Sequence, residues 1–208
     1  MMFRMLKNKI EVGIDEVARG VLFGRIYGAA VILPDIDNLP EDSKFNLIKD
    51  SKKLTRKKRE LLYDFIKENA IDYSVSWIDA NTIDEKGLQY CNYKVFHDSL
   101  DKLKVRPEHI LVDGRCFEEY KHNNQIIPHK CVIKGDNKFY SIAAASILAK
   151  VEHDRYILDL INNNKELKKY DLENNMGYGT KKHIDAIEKY GFTDYHRKSY
   201  KIKRLMKD

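Results

Sequence analysis

The chain has 208 residues, 43% of them hydrophobic and 11% aromatic, which suits one domain with a small appendage and a real core, so disorder is not the default. Its net charge is +6 and the surplus is clustered: Lys49–Arg59 holds seven Lys/Arg against Asp50, and Tyr195–Asp208 holds six against Asp208. No run approaches the ~20 apolar residues of a membrane span. The basic start MMFRMLKNKIE lacks the apolar stretch of a secretory signal. Three scattered cysteines (Cys91, Cys116, Cys131) without a CxxC pair argue against a disulfide framework or zinc site and for a reducing cytoplasm. Basic clusters of this kind are the footprint of a phosphate-backbone binder, and equally of solvated helix faces.

Lys9–Asp15 reads as a strand running into an acidic pair, and Arg25–Leu33 as a second strand stopped by Pro34. Leu39–Leu54 is polar and loop-like. Thr55 is placed to cap a helix through Ala70, with Leu61, Leu62, Phe65 and Ile66 on one face. Ile71–Trp77 alternates like a strand. Leu88, Cys91, Val95, Phe96, Leu100 and Leu103 then recur at helical spacing. His109–Val112 is a short apolar strand, and Gln125–Ile133 reads as another, ending in Lys134-Gly135-Asp136. Lys138–Ile161 is helical, and its Ala143-Ala144-Ala145 run would let the backbone approach a sheet closely. Asn162–Met176 looks like a connector, and a last helix at Thr180–Tyr190 is closed by Gly191. Two strands followed by alternating helices and strands give an α/β layered domain over residues 1–161, with residues 162–208 a small helical segment of the same unit.

Four acids lie at or just past the ends of apolar strands: Asp15 and Glu16, Asp113, and Asp136. Strand ends in an α/β sheet fix side chains rigidly, and phosphodiester hydrolysis by two Mg²⁺ or Mn²⁺ ions needs such a group of hard oxygen ligands. Any one of these acids reads as well as a turn or cap residue; Asp113-Gly114 and Gly135-Asp136 are ordinary turn dipeptides. Pattern alone stops at a metal-dependent nuclease or phosphatase.

Gly13-Ile14-Asp15-Glu16-Val17-Ala18-Arg19-Gly20 resembles the signature GIDEAGRG that opens the type 2 ribonucleases H. The likeness continues through Asp50-Ser51-Lys52-Lys53-Leu54, Val112-Asp113-Gly114, Lys134-Gly135-Asp136 and the ten residues Ile142–Val151. It closes with Gly177-Tyr178-Gly179-Thr180, His183 and His196-Arg197-Lys198-Ser199-Tyr200, in the order of that family. Within the group the chain resembles bacterial-type ribonuclease HII. The related ribonuclease HIII carries an extra N-terminal domain, for which the dozen residues before the first motif leave no room, and a Glu where Asp136 stands.

The resemblance implies a ribonuclease H-like mixed β-sheet flanked by helices, with the C-terminal helical segment gripping substrate. It implies that Asp15, Glu16, Asp113 and Asp136 are catalytic and hold two metals, with Asp15 bridging them. Ala18, Arg19 and Gly20 would contact the 2′-hydroxyl at the RNA–DNA junction, the group that tells RNA from DNA. Tyr178 would stack on the deoxynucleotide that follows; a loop aromatic packed on the connector is the plainer alternative. Ser51, Lys52 and Lys53 would contact phosphates, with Lys181, Lys182, His196, Arg197 and Lys198 adding to the backbone grip. His183 and His196 are otherwise expected as helix-surface or capping residues, and Asp154 is expected to tolerate Asn. The implied substrates are RNA–DNA hybrids and DNA duplexes containing ribonucleotides, cut to leave 3′-hydroxyl and 5′-phosphate ends during ribonucleotide removal, primer removal or repair. A monomer is expected.

Three positions depart from the pattern: Ala18 replaces the first glycine of Gly-Arg-Gly, Val21 replaces a proline, and Gly24-Arg25 replaces Gly-Pro. Two other functions compete. A non-catalytic hybrid-binding module would have little use for four acids facing phosphates, and another nuclease on this fold, such as a junction resolvase, would leave the GYGT and SKKL motifs without explanation.

Overall fold

The computed structural model describes residues 6, 9–35, 40 and 43–205. Its strands and α-helices run, in chain order, as β1 (Glu11–Val17), β2 (Ile26–Ile32), α1 (Arg56–Asn69), β3 (Asp72–Ile78), α2 (Ala80–Lys86), α3 (Leu88–Asp101), β4 (His109–Asp113), β5 (Lys121–His122), β6 (Gln125–Ile126), β7 (His129–Val132), α4 (Tyr140–Asn163), α5 (Leu172–Asn175) and α6 (Lys181–Tyr190). Five strands form one mixed sheet in the order β3-β2-β1-β4-β7. β1 pairs antiparallel with β2 and parallel with β4, and β4 pairs parallel with β7. The carboxyl ends of β1, β4 and β7 therefore open on the same edge, where an α/β sheet places its chemistry.

Both faces of the sheet are covered, so every residue of β2 is buried. Helix α4 lies on one face with α1 beside it, and α3 lies on the other. The approach of α4 is set by small residues: Ala143, Ala144 and Ala145 are wholly buried. A Cβ on Gly13 of β1 would stand 2.3 Å from the Ser141 carbonyl carbon, so no larger residue fits there. Thr55 caps α1 by accepting from the Lys58 N–H at 3.3 Å.

Three local expectations change, and one helix was not anticipated. The run Gln125–Ile133 is not one strand: β6 closes a small hairpin with β5, and only β7 joins the main sheet. Pro128, which has no N–H to give a ladder, stands at the break. The unanticipated helix is α2: Gly87, at φ 84°, separates it from α3, and Asp79 caps it through the Thr82 N–H. The described part of Leu39–Leu54 contains two 3-10 turns, Lys44–Leu47 and Ser51–Lys53; Leu39, Glu41 and Asp42 lie outside the described residues. The connector Asn162–Met176 is likewise structured, holding a 3-10 helix at Lys165–Tyr170 and then α5.

The C-terminal segment docks through its own core. Leu167, Tyr170, Leu172, Ala186, Ile187 and Ile202 pack on Ile157 and Ile161 of α4 and on Phe23, from the loop between β1 and β2. Among the described residues no helix is long and apolar enough to cross a membrane.

Candidate active site

The structure brings Asp15, Glu16, Asp113 and Asp136 to the carboxyl-end edge of the sheet. Asp15 and Glu16 are neighbours on β1 and so leave opposite faces of the strand. Asp113 ends β4 beside them. Asp136 sits in a 3-10 turn, Gly135–Asn137, after β7. Lys134, held left-handed at φ 55°, makes that bend, and the Gly135 N–H then donates to Asp113 Oδ1 at 2.7 Å, tying the two loops together.

Two cavities flank the acids and Asp113 lines both. One of about 480 Å³ lies between Glu16, Arg19, Asn92 and Asp113. The other, about 420 Å³, lies between Asp50, Lys52, Lys53, Asp113 and Asp136. Burial and mutual repulsion dominate the electrostatics. Burial raises Asp15 well above the usual carboxylate range, and the charges of Glu16, Asp113 and Asp136 add to it. Glu16 is lifted to about 7 by burial and by Asp113. Asp113 and Asp136 are also raised, chiefly by burial, the latter helped by Asp50. Lys52 is the opposing charge: partial burial would lower its pKa, but Asp15, Asp136 and Asp50 more than offset this and hold it as a cation.

The expected substrate contacts divide into two groups. Arg19, Gly20, Lys52, Lys53, Tyr178, Lys181 and Lys198 are exposed. Tyr178 is 41% exposed, with the Lys150 ammonium 5.7 Å from its ring centroid, so its ring is not buried against the connector. Lys53 bonds to Asn137, whose amide donates to Asp136 at 2.9 Å. The second group points inward. Ser51 is buried with its hydroxyl 2.9 Å from that of Ser146. Ala18 is 3% exposed, and its φ of 69° is the left-handed backbone that favours glycine.

Three expectations need correction. Arg197 is not a surface cation: it is 1% exposed, donating from Nε to the Gly24 carbonyl and from Nη1 to the Arg19 carbonyl, at 3.0 and 2.9 Å. His183 and His196 are neither surface nor simple capping residues; both are fully buried, their Nε2 atoms 3.2 Å apart. Asp154 is not an exposed helix position: it is 4% exposed and meets Lys150 at 2.7 Å, His153 at 3.0 Å and Arg59 at 3.5 Å. Burial opposes its ionisation, yet His153 and Lys150 pull its pKa below the usual range, so Asn there would leave a buried charge network short of its anion.

Asn92 was not anticipated from the sequence. It is 7% exposed, its Oδ1 has no partner among the described residues, and it lines the cavity beside Glu16. The signal was a polar residue inside the apolar stripe of α3, between Leu88 and Val95.

A five-stranded mixed sheet with acids at the ends of its parallel strands, flanked by exposed lysines, defines a hydrolase of the ribonuclease H class. The fold agrees with solved structures: ribonuclease H2 from Pyrococcus horikoshii superposes with a TM-score of 0.73 at 24% identity, covering 91% of this chain and 93% of that one. A Mn²⁺ complex of Bst ribonuclease HIII superposes at 0.57 with 22% identity, covering 76% of this chain and 55% of that one. The family model for ribonuclease HII matches residues 12–203. The ribonuclease HII of Phocaeicola vulgatus is 42% identical over 94% of this chain and 91% of its own length. The chain belongs to the ribonuclease HII family.

Proposed function

We propose that the chain hydrolyses the RNA strand of RNA–DNA hybrids and nicks duplex DNA 5′ of embedded ribonucleotides, leaving 3′-hydroxyl and 5′-phosphate ends. The observation that carries this reading is the meeting of Asp15, Glu16, Asp113 and Asp136 at one sheet edge, with the Lys52 cation beside Asp15, Asp136 and Asp50. Buried acids that repel one another are a poor arrangement for stability and a suitable one for binding cations.

The donor set fits hard divalent ions. It offers only carboxylate oxygens, and among the described residues no three acidic, His or Cys side chains close around a single point. Mg²⁺ typically takes one or two carboxylates and completes its shell with water and substrate phosphate oxygens, so an open set suits it. Bound there, Mg²⁺ or Mn²⁺ would stabilise charge on the scissile phosphate and activate water. The protein's own groups do the rest. Lys52 and Lys53 stand where they can hold flanking phosphates. The turn at Ala18-Arg19-Gly20 offers peptide groups to a 2′-hydroxyl, and the exposed ring of Tyr178 offers a surface to the next base. Lys181, Lys198 and the segment 162–208 extend the contact along the duplex. Arg197 and Ser51 belong to this reading only through their buried bonds.

We further propose a monomer in the cytoplasm. All three cysteines are free thiols, in keeping with a reducing compartment.

Incubation with Mg²⁺ or Mn²⁺ and three substrates tests the assignment: a DNA duplex carrying one ribonucleotide, a full hybrid, and a four-way junction. Cleavage of the first two supports it. Cleavage of the junction alone moves the chain to another nuclease activity, and binding without cleavage moves it to a binding module.

A further inference from the structure

Two loops carry junction recognition in this reading, residues 18–20 and residues 177–180, and they are far apart in sequence. Both are fastened to the same dipeptide. Arg197 Nη1 donates to the Arg19 carbonyl at 2.9 Å and to Tyr200 Oη at 3.0 Å, while the Tyr200 hydroxyl donates to the same Arg19 carbonyl at 2.7 Å. Arg197 Nε holds the Gly24 carbonyl, and its backbone N–H holds the Leu22 carbonyl at 2.9 Å. Both ends of the loop that follows Ala18 are thus fixed by one side chain.

His196 works in the other direction. The Tyr178 carbonyl can only accept, so His183 Nδ1, 2.9 Å away, carries a proton. In the neutral ring His183 Nε2 is then an acceptor, and His196 Nε2, at 3.2 Å, must be the donor. That leaves His196 Nδ1 to accept, and the Thr193 N–H donates to it at 2.9 Å. The chain of bonds from Thr193 through His196 and His183 to Tyr178 has one consistent direction, and it ends on the peptide that bears the Tyr178 ring. The Leu22 N–H donates to the Gly177 carbonyl at 2.8 Å and joins the two loops directly. Gly177, at φ 83°, permits this approach; a Cβ there would stand 2.7 Å from the Phe23 carbonyl oxygen.

We propose that His196 and Arg197 are positioning residues that hold the 18–20 turn and the Tyr178 loop in register, so that one ribonucleotide and the deoxynucleotide after it are read together. The inference rests on the reading of those two loops given above. It assigns the basic side chain of Arg197 a task no phosphate contact would explain, since a lysine carries the same charge but cannot reach two carbonyls and a phenol hydroxyl in fixed geometry.

The test compares the cleavage rate at a single ribonucleotide with that of a long hybrid, and takes the ratio, for Arg197→Lys, Arg197→Met, Tyr200→Phe and Tyr178→Ala, with thermal melting of each. The ratio should fall at least tenfold in both Arg197 variants alike, and about threefold in Tyr200→Phe, while the salt dependence of hybrid binding keeps its wild-type slope. A wild-type ratio in Arg197→Lys beside a loss in Arg197→Met would show that charge suffices and would overturn the proposal. If neither Arg197 variant folds, Tyr200→Phe decides, and a wild-type ratio there overturns it. Tyr178→Ala separates the two levels: a lowered ratio there with none in Tyr200→Phe leaves the junction reading standing and removes the register device. An unchanged ratio in Tyr178→Ala removes both.

Discussion

Ala18 shows how a single methyl group must be weighed. At φ 69° a Cβ costs on the order of 1–2 kcal/mol relative to glycine. Against this, glycine would lose about 0.8 kcal/mol of methyl burial and about 0.4–1 kcal/mol to the looser unfolded chain. These terms nearly cancel, so alanine can stand at a glycine position without a stability penalty that selects against it. Ala18→Gly should shift the melting temperature by only a few degrees and raise single-ribonucleotide cleavage no more than about fivefold; a larger change in either would mean that the turn is strained beyond its dihedral angle. The acids call for the opposite experiment. Asp15→Asn or Asp136→Asn keeps size and removes a ligand charge, and cleavage should drop by several orders of magnitude while melting and hybrid binding persist. A near-wild-type rate would remove that residue from the metal site. Both acids were legible from their place after apolar strands. The inward turn of Ser51 and Arg197 was not, because a polar or basic residue in a motif does not declare which way its side chain points.

Elements were legible where periodicity was long. α1, α3 and α4 follow from their apolar spacing, and the buried alanines of α4 from their size. The break at Pro128 and the structured connector were not, since short 3-10 turns and two-residue strands carry no period to read. The burial of His183 and His196 was missed for a related reason: their core is assembled from Phe23, α4 and α6, and no local pattern announces it. Burial carries a pH consequence. It lowers His196 to about 3, helped by His183 and Lys198, and lowers His183 as well. A depressed histidine is neutral when folded and takes a proton near 6.5 when unfolded, so its stabilisation is present above about pH 6.5 and is lost as pH falls toward 3. The raised acids act with the opposite sign, their contribution being lost as pH rises through the range that ends near 7 for Glu16. The difference between wild type and His196→Gln isolates the histidine. The wild-type advantage in melting temperature should shrink as pH falls from 7 to 5; an advantage that is constant or grows would mean that His196 is protonated in the fold.

For the molecule as a whole, net charge of +6, with exposed Lys52 and Lys53 beside the acids at the sheet edge and Lys181 and Lys198 exposed on the C-terminal segment, predicts binding that weakens steeply with salt, as phosphate contacts release condensed counterions. Neutralising Lys52 and Lys53 should flatten the slope of log affinity against log salt by up to about one unit per lost contact. An unchanged slope would return this cluster to an ordinary solvated face. The central claim is that this edge reads a ribonucleotide and cuts on its 5′ side, and end analysis tests it most directly. A DNA duplex with one ribonucleotide, labelled on either end of that strand and digested with Mg²⁺ or Mn²⁺, should yield a deoxynucleotide 3′-hydroxyl and a fragment that begins with a 5′-phosphate on the ribonucleotide. A cut that leaves the ribonucleotide at the 3′ end, or an intact duplex under conditions that degrade a long hybrid, would contradict the account.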